Sequence, residues 1–312
     1  LRPQALVLME TELWPNLIAQ ARSKHCKIML INGRLSEKSF PRYQKLSGLI
    51  SPCLATFDQI FAQSDGNLDR LRAIGAPASI SKTSGNLKYD LADSPAIQSK
   101  AEHLSQWLPS DRPLWLIAST HEGDEQLALA AFKKVLIEHE TALLIIVPRH
   151  PERFDKVYNL AQTSGFRTQK RSDESAVQPS TNIWVLDSLG ELMSAYKLVD
   201  LVTIGGSFSD IGGHNPLEPA LYRKPIITGA NMSNFIEIQH QLLRAEGIVE
   251  LKHGARVESE LALQVSRLLA NKERCQQLGD NAHNVVMHNQ GATEVSVQAL
   301  LKLISLLITQ LI

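Results

Sequence analysis

The stretch LVTIGGSFSDIGGHNPLE, from Leu201 to Glu218, decides the reading of the fold. Leu201 to Ile204 is a short apolar run with β-branched residues, the pattern of a buried strand. Gly205-Gly206 end it, and Gly212-Gly213 recur before His214. Glycine tolerates backbone conformations that bring N–H groups close to an anion. Asn215 suits an N-cap and Pro216 the first helical position. A helix therefore opens at this point with its positive end toward the loop. Glu218 falls in the first turn, where a carboxylate can accept hydrogen bonds from sugar hydroxyls. A ligand carrying both anion and sugar, such as a nucleotide, fits this pattern. Asn215 and Glu218 also have the spacing of a capping box, which would commit them to the helix itself. The stretch alone leaves both readings open.

Strand–loop–helix units repeat on either side. Upstream, Ala5 to Met9 reads as a strand. Trp14 to His25 reads as a helix, with Leu17, Ile18 and Ala21 on one face. Lys27 to Ile31 is a strand, Ser36 to Ile50 a helix, Phe57 to Ala62 a strand, and Leu68 to Ile74 a helix stopped by Gly75. A break falls at Gly85-Asn86-Leu87-Lys88-Tyr89-Asp90, followed by a polar helical stretch from Leu91 to Leu108. The alternation then resumes: strand Leu114 to Ala118, helix Glu122 to His139, strands Leu143 to Val147 and Ile183 to Leu186, and a short helix Leu189 to Tyr196. After Pro225 to Thr228 the chain is helical from Phe235, apart from Ile248 to Leu251. Repeated units of this kind predict parallel sheets with helices on both faces. Two blocks predict an α/β chain of two Rossmann-like domains facing across a cleft, with the first domain incomplete. The expected domains are residues 1–90 and residues 91–312, the C-terminal helices belonging to the second.

Composition sets limits on partners. The 312 residues suffice for about two domains, and 44% hydrophobic content supports normal cores. Lys+Arg and Asp+Glu are both 32, so no global charge draws the chain to nucleic acid, and any anion site is local. Cys26, Cys53 and Cys275 form no CxxC pair, which excludes a zinc ribbon and fits a reducing compartment. No apolar run reaches the roughly 20 residues of a membrane span. The C-terminal run from Leu300 to Ile312 is broken by Lys302, Ser305, Thr309 and Gln310, and reads as a helix packed on the body. The chain opens on Leu1 close to a strand, without a signal peptide, and reads as a cut through a domain.

In parallel sheets the chemistry gathers beyond the carboxyl ends of the strands. Six further loops lie there or at the break. Glu10 and Glu12 follow the first strand, and suit acid–base work or ordinary capping. Asn32-Gly33-Arg34-Leu35-Ser36 follows the second. Lys88 lies at the break. Ser119-Thr120-His121-Glu122 offers small hydroxyls as a phosphate seat or an N-cap. Pro148-Arg149-His150-Pro151-Glu152-Arg153 follows a very apolar strand, and an arginine there suits a phosphate or carboxylate fork. Asp187-Ser188-Leu189-Gly190-Glu191 opens a short helix. No Ser/His/Asp set recommends nucleophilic catalysis, and no acidic pair or histidine spacing recommends a metal, so none is expected. No cofactor is called for either.

The order METELWPNLI, NGRLS, GNLKYD, STHEGDE, VPRHPERF, DSLGEL and GGSFSDIGGHNPLEPA, from Met9 to about Phe235, resembles the 3-deoxy-D-manno-octulosonic acid (Kdo) transferases of Gram-negative bacteria. The resemblance implies a GT-B-type glycosyltransferase. It would transfer Kdo from CMP-Kdo to the lipid A precursor in lipopolysaccharide biosynthesis, at the cytoplasmic face of the inner membrane. By position, Pro148, Arg149, Leu189, Gly190, Glu191, Asn215, Pro216, Leu217 and Glu218 match the family's CMP-binding segments. Glu10 and Lys88 match positions that stabilise the transition state. The family inverts at the anomeric carbon, so a general base is required. The resemblance places that glutamate, with a membrane-anchoring segment, upstream of Leu1, so the chain is expected to be a fragment with little or no transfer activity. Two other readings remain: another GT-B transferase or epimerase of UDP-sugars, and a non-catalytic nucleotide-binding module.

Overall fold

A computed structural model describes residues 3–252, 254 and 256–310, and the chain divides into two units, residues 1–90 with 287–312 and residues 91–286. The first unit carries β1 (Ala5–Met9), α1 (Pro15–Ser23), β2 (Lys27–Gly33), α2 (Phe40–Lys45), α3 (Ser47–Leu54), β3 (Gln59–Ala62), α4 (Asp65–Ala73) and β4 (Ser81–Thr83). Its sheet runs β1-β2-β3-β4, and every pairing is parallel. Ile28, Leu30 and Ile60 pack with Leu54 and Leu71 in its core.

The second unit carries α5 (Pro95–Ser105), β5 (Leu114–Thr120), α6 (Asp124–Glu138), β6 (Leu143–Pro148), α7 (Phe154–Thr163), β7 (Thr168–Lys170), β8 (Ile183–Val185), α8 (Leu192–Leu198) and β9 (Leu201–Ile204). These are followed by α9 (Leu217–Leu221), β10 (Ile226–Gly229), α10 (Ile236–Arg244), β11 (Ile248–Leu251), α11 (Val257–Ala270) and α12 (Lys272–His288), whose last two residues fall in the first unit. Seven parallel strands run in the order β11-β10-β9-β5-β6-β8-β7. From β5 the chain builds outward through β6 to β7 and β8. It then returns to lay β9 on the other side of β5. The strand order reverses between β5 and β9, the switch point at whose carboxyl ends sheets of this kind bind ligands. Strands β6, β8 and β9 are buried throughout, as continuous apolar runs in a parallel sheet require.

Three differences from the sequence expectations have clear causes. The helix expected over 36–50 is two short helices that join at Leu46, whose φ of −98° and ψ of 13° leave the α region. Strands β4 and β7 and helix α7 were not expected. The strands are three residues each, too short to show alternation, and pairing with a neighbour is what makes them strands. The prolines of the 147–154 loop keep Pro148 to His150 out of helix, but Pro151 starts a 3-10 turn that leads into α7. Finally, α13 (Ala292–Gln310) groups with the first unit, whereas the sequence reading had placed it in the second domain. Leu303 packs on Met29 and Phe61, and the Asp90 carboxylate accepts from the N–H of Gly291, at 2.6 Å, and of Thr293.

A candidate nucleotide site at the strand ends of the second unit

The loops after β5 and β9 are built into one another. Gly205 N donates to Ala118 O at 2.8 Å. A side chain at Gly205 would bring its Cβ within 2.6 Å of that oxygen, so only glycine fits. Asp124, at the start of α6 and 1% exposed, accepts from Gly206 N at 2.7 Å and His121 N at 2.8 Å through the same oxygen. Burial lifts its pKa to about 6, and these two hydrogen bonds oppose the lift. Gly213 has φ +72°, and its N–H closes the loop onto Gly206 O at 2.9 Å. Ser119, a non-glycine residue at φ 56°, turns the chain at the end of β5, a strained conformation of the kind that gathers at functional sites.

The loop after β6 joins them. Arg149 N donates to Thr120 O at 3.1 Å. Arg153 grips the fully buried Glu125 with Nη2, at 3.0 and 2.9 Å from its two oxygens, and Thr120 Oγ1 donates to the same carboxylate at 2.8 Å. Thr120 and Arg153 are thus committed to the scaffold. Arg149 is exposed, and its guanidinium has no ion pair among the described residues. Its charge nevertheless reaches Glu218, His121 and His214. The rings of His121 and His214 share a hydrogen bond between Nε2 atoms 2.7 Å apart, and His150 lies edge-on to His121 with ring centroids 5.4 Å apart.

The helix starts one residue later than expected, with Pro216 rather than Asn215 at the N-cap, and Asn215 instead accepts from Leu217 N at 3.1 Å just before it. Its amide also donates to Glu218 Oε1 at 3.4 Å, and this side-chain link takes the place of the reciprocal box. Pro216 and Leu217 are buried and pack inward. Helix α9 has five residues, hardly more than one turn, so its dipole is too short to serve as the main anion holder. Among the described residues the Glu218 side chain is held by Asn215 alone, and burial raises its pKa against the opposing effects of Asn215 and Arg149.

Glu191 differs. Arg171 binds it bidentately, with Nε at 2.7 Å and Nη2 at 2.9 Å, and Ser188 Oγ donates to it as well. Burial pushes its pKa up, but the hydrogen bonds from Arg171 and Ser188 and the charge of Arg171 outweigh burial and leave it lowered. The preceding Leu189 is 70% exposed, and Gly190 takes φ +74° while its carbonyl accepts from Lys100 Nζ at 2.9 Å. No hydrogen bond or ion pair among the described residues ties this loop to Arg149 or Glu218. Pro148 is buried at the end of β6, where it pairs with Thr120.

The two site residues expected in the first unit lie together at its strand ends. Glu10 follows β1 at φ 56°, its N–H donating to Ile31 O at 3.1 Å. Lys88 lies in a 3-10 turn, and Asn32 Oδ1 accepts the adjacent Leu87 N–H at 3.1 Å. Burial lowers the Lys88 pKa, Glu10 opposes this, and Arg34 adds to it. Glu10, Arg34 and Lys88 therefore form one electrostatic group. Sequence reading did not find the roles of Asp124, Arg171 or the His121–His214 contact. His121 and His214 are separated by a whole sheet crossover, and nothing in a one-dimensional pattern signals such a pair.

A parallel sheet whose strand order reverses between two glycine-built loops has the architecture in which α/β proteins bind nucleotides. The family described as 3-Deoxy-D-manno-octulosonic-acid transferase (kdotransferase) matches residues 1–91. A 3-deoxy-D-manno-octulosonic acid transferase of Haemophilus influenzae is 36% identical over 293 residues, 94% of this chain and 68% of that protein. The chain belongs to the Kdo transferase family, whose members are glycosyltransferases. The crystal structure of the C-terminal CMP-Kdo binding domain of WaaA from Acinetobacter baumannii is 33% identical with a TM-score of 0.55, covering 61% of this chain and 97% of that one. A UDP-GlcNAc 2-epimerase from Neisseria meningitidis, at 12% identity and TM-score 0.63, covers 96% of this chain and 76% of its own and shares the fold alone. The fold is α/β with two parallel sheets, of the GT-B type. Among the described residues no helix is long and apolar enough to cross a membrane.

Proposed function

We propose that the switch point of the second unit binds CMP-Kdo and that the protein transfers Kdo to the lipid A precursor at the cytoplasmic face of the inner membrane. One observation carries this reading. Arg149 is an exposed arginine without an ion pair among the described residues, and it shares the strand-end loops with Glu218, a half-buried carboxylate held by one amide. A cation for the phosphate and an acceptor for ribose hydroxyls is what a nucleotide needs. The 33% identity to a CMP-Kdo binding domain supports the choice of nucleotide.

In this reading Arg149 and the N–H groups of Gly212, His214 and Asn215 neutralise the leaving phosphate, the Gly213 N–H being spent on Gly206 O. Glu218 takes ribose hydroxyls, with Asn215, Pro216 and Leu217 setting its position. Glu191 holds the 188–190 loop through Arg171, and so presents the Leu189 side chain and the Gly190 backbone to the nucleoside. Glu10 and Lys88 stabilise the oxocarbenium-like transition state by charge. Transfer inverts the anomeric centre, which requires a base to take the acceptor hydroxyl proton. Calorimetric titration of the chain with CMP, UMP and UDP tests the donor assignment. CMP should bind most tightly; tight UDP binding without a CMP response would reject it. A transfer assay with CMP-Kdo and lipid A precursor shows whether residues 1–312 suffice for turnover.

A further inference from the structure

His121 and His214 come from the two loops that meet at the switch point, and their rings are parallel to 1° with Nε2 atoms 2.7 Å apart. Two ring nitrogens at that distance share a proton. The donating neutral ring then has a bare Nδ1, whereas the accepting ring carries its proton on Nδ1. Neither Nδ1 has a hydrogen-bond partner among the described residues. The pair thus offers one donor and one acceptor, but a phosphate dianion can only accept. The neighbours set the charge state. Burial most of all, then His150, Arg153 and Arg149, disfavours a proton on His121, and Glu125 favours one. Asp124, buried beneath, accepts the His121 backbone N–H. On His214, burial is the largest influence, followed by His121, Arg149 and His150, and its pKa falls to about 4. Burial and the surrounding cations therefore keep both rings neutral in the protein alone. A phosphate near Arg149 would cancel that positive field and face a bare Nδ1.

We infer that the His121–His214 pair takes up one proton from solvent as the nucleotide phosphate binds, making hydrogen-bond donors of both Nδ1 atoms. The proton goes to the bare Nδ1, and the shared Nε2 hydrogen bond stays. A second proton is refused, because two imidazolium rings would have no acceptor between them at 2.7 Å. The inference rests on the CMP site proposed above.

Isothermal titration with CMP in buffers of different ionisation enthalpy measures the uptake directly. Wild type should take up close to one proton at neutral pH, and CMP should bind up to about tenfold more tightly per unit fall in pH. The ligand's own phosphate titrates near pH ~6 and contributes equally to every variant, so the comparison is made between pH about 7 and about 8. His214→Asn and His121→Gln should abolish the uptake and flatten the pH dependence, while His150→Gln should keep both. CMP binding without proton uptake, or uptake that survives His214→Asn, overturns the inference and leaves the nucleotide site standing. Absence of CMP binding to the wild-type protein overturns the site and the inference together.

Discussion

Two strand-end loops of the second unit each carry a glutamate at the start of a short helix, yet the structure uses them in opposite ways. After β8, Glu191 is gripped by two nitrogens of Arg171 and by the Ser188 hydroxyl. After β9, Glu218 has one amide contact at 3.4 Å. The lowered pKa of Glu191 and the raised pKa of Glu218 follow from this difference. A carboxylate whose lone pairs are filled by a guanidinium holds the loop. One that is half-buried with few partners carries an unmet demand for donors, of the kind a ligand's hydroxyls can supply. Each glutamate opens a short strand-end helix, and their neighbours saturate one and leave the other with capacity to spare.

The largest effect should come from breaking the Glu191–Arg171 pair. Glu191→Ala strands the Arg171 guanidinium, whose side chain is 16% exposed, against Trp107, 4.5 Å from the ring centroid. The loss should be about 2–4 kcal/mol in chemical denaturation, near the lower end of the buried-pair range because part of the pair faces water. If Glu191→Ala instead leaves stability intact and abolishes CMP binding, the two loops have the same role. Glu218→Ala should do the reverse, weakening CMP by roughly 10- to 100-fold, as the loss of charged hydrogen bonds predicts. Its stability should stay within about 0.5 kcal/mol of wild type or rise slightly, since a poorly partnered half-buried carboxylate is removed. Unchanged CMP affinity in Glu218→Ala would return the 212–218 loop to a purely capping role. Arg149→Ala should cost CMP about tenfold with no change in unfolding, and Arg149→Lys should recover only part of it because the fork geometry is lost.

Asp124 stands between the two cases: it is well partnered at one oxygen, while its other oxygen, Oδ1, is buried without a hydrogen bond. Its folded pKa of about 6 lies above the ordinary aspartate value of 3.8. The folded state therefore binds the proton first, so this group adds stability as pH falls through about 6, and the gain is complete below the unfolded value. His214, with its folded pKa lowered, acts oppositely and loses stability as pH falls below 6.5. Asp124→Asn removes only the first contribution. The stability difference between variant and wild type should change by about 2–3 kcal/mol between pH about 7 and about 4, with the variant favoured at the higher pH. A constant difference across that range would place the Asp124 pKa near its ordinary value.

Much of the architecture was legible because parallel strands buried on both faces appear as unbroken apolar runs. The expected and observed limits of β9, Leu201 to Ile204, coincide for that reason. The switch-point loop was legible too, since Gly205, Gly213 and Asn215 are the residue types that close packing, positive φ and capping demand. Elements that depend on partners were not. Ser81–Thr83 has no pattern of its own and is a strand because it pairs with β3. The unit to which α13 belongs depends on Leu303 meeting Met29 and Phe61, a contact across more than half the chain. In the candidate site, Arg149 and Glu218 were singled out by residue type and loop position. The capture of Glu191 by Arg171 joins a 3-10 turn to a separate strand-end loop, and no spacing rule encodes it.

The sequence by itself determined where strands end, which loops are glycine-built, and the family through long motifs in fixed order. Those properties are local, set by backbone sterics and the period of apolar residues. The tertiary structure alone decided which carboxylate is spent and which is available, which cation is unpaired, and which two imidazoles share a proton. Those properties depend on burial and on neighbours a few ångströms away that the chain supplies from distant strands, and a buried charge takes its character from those neighbours.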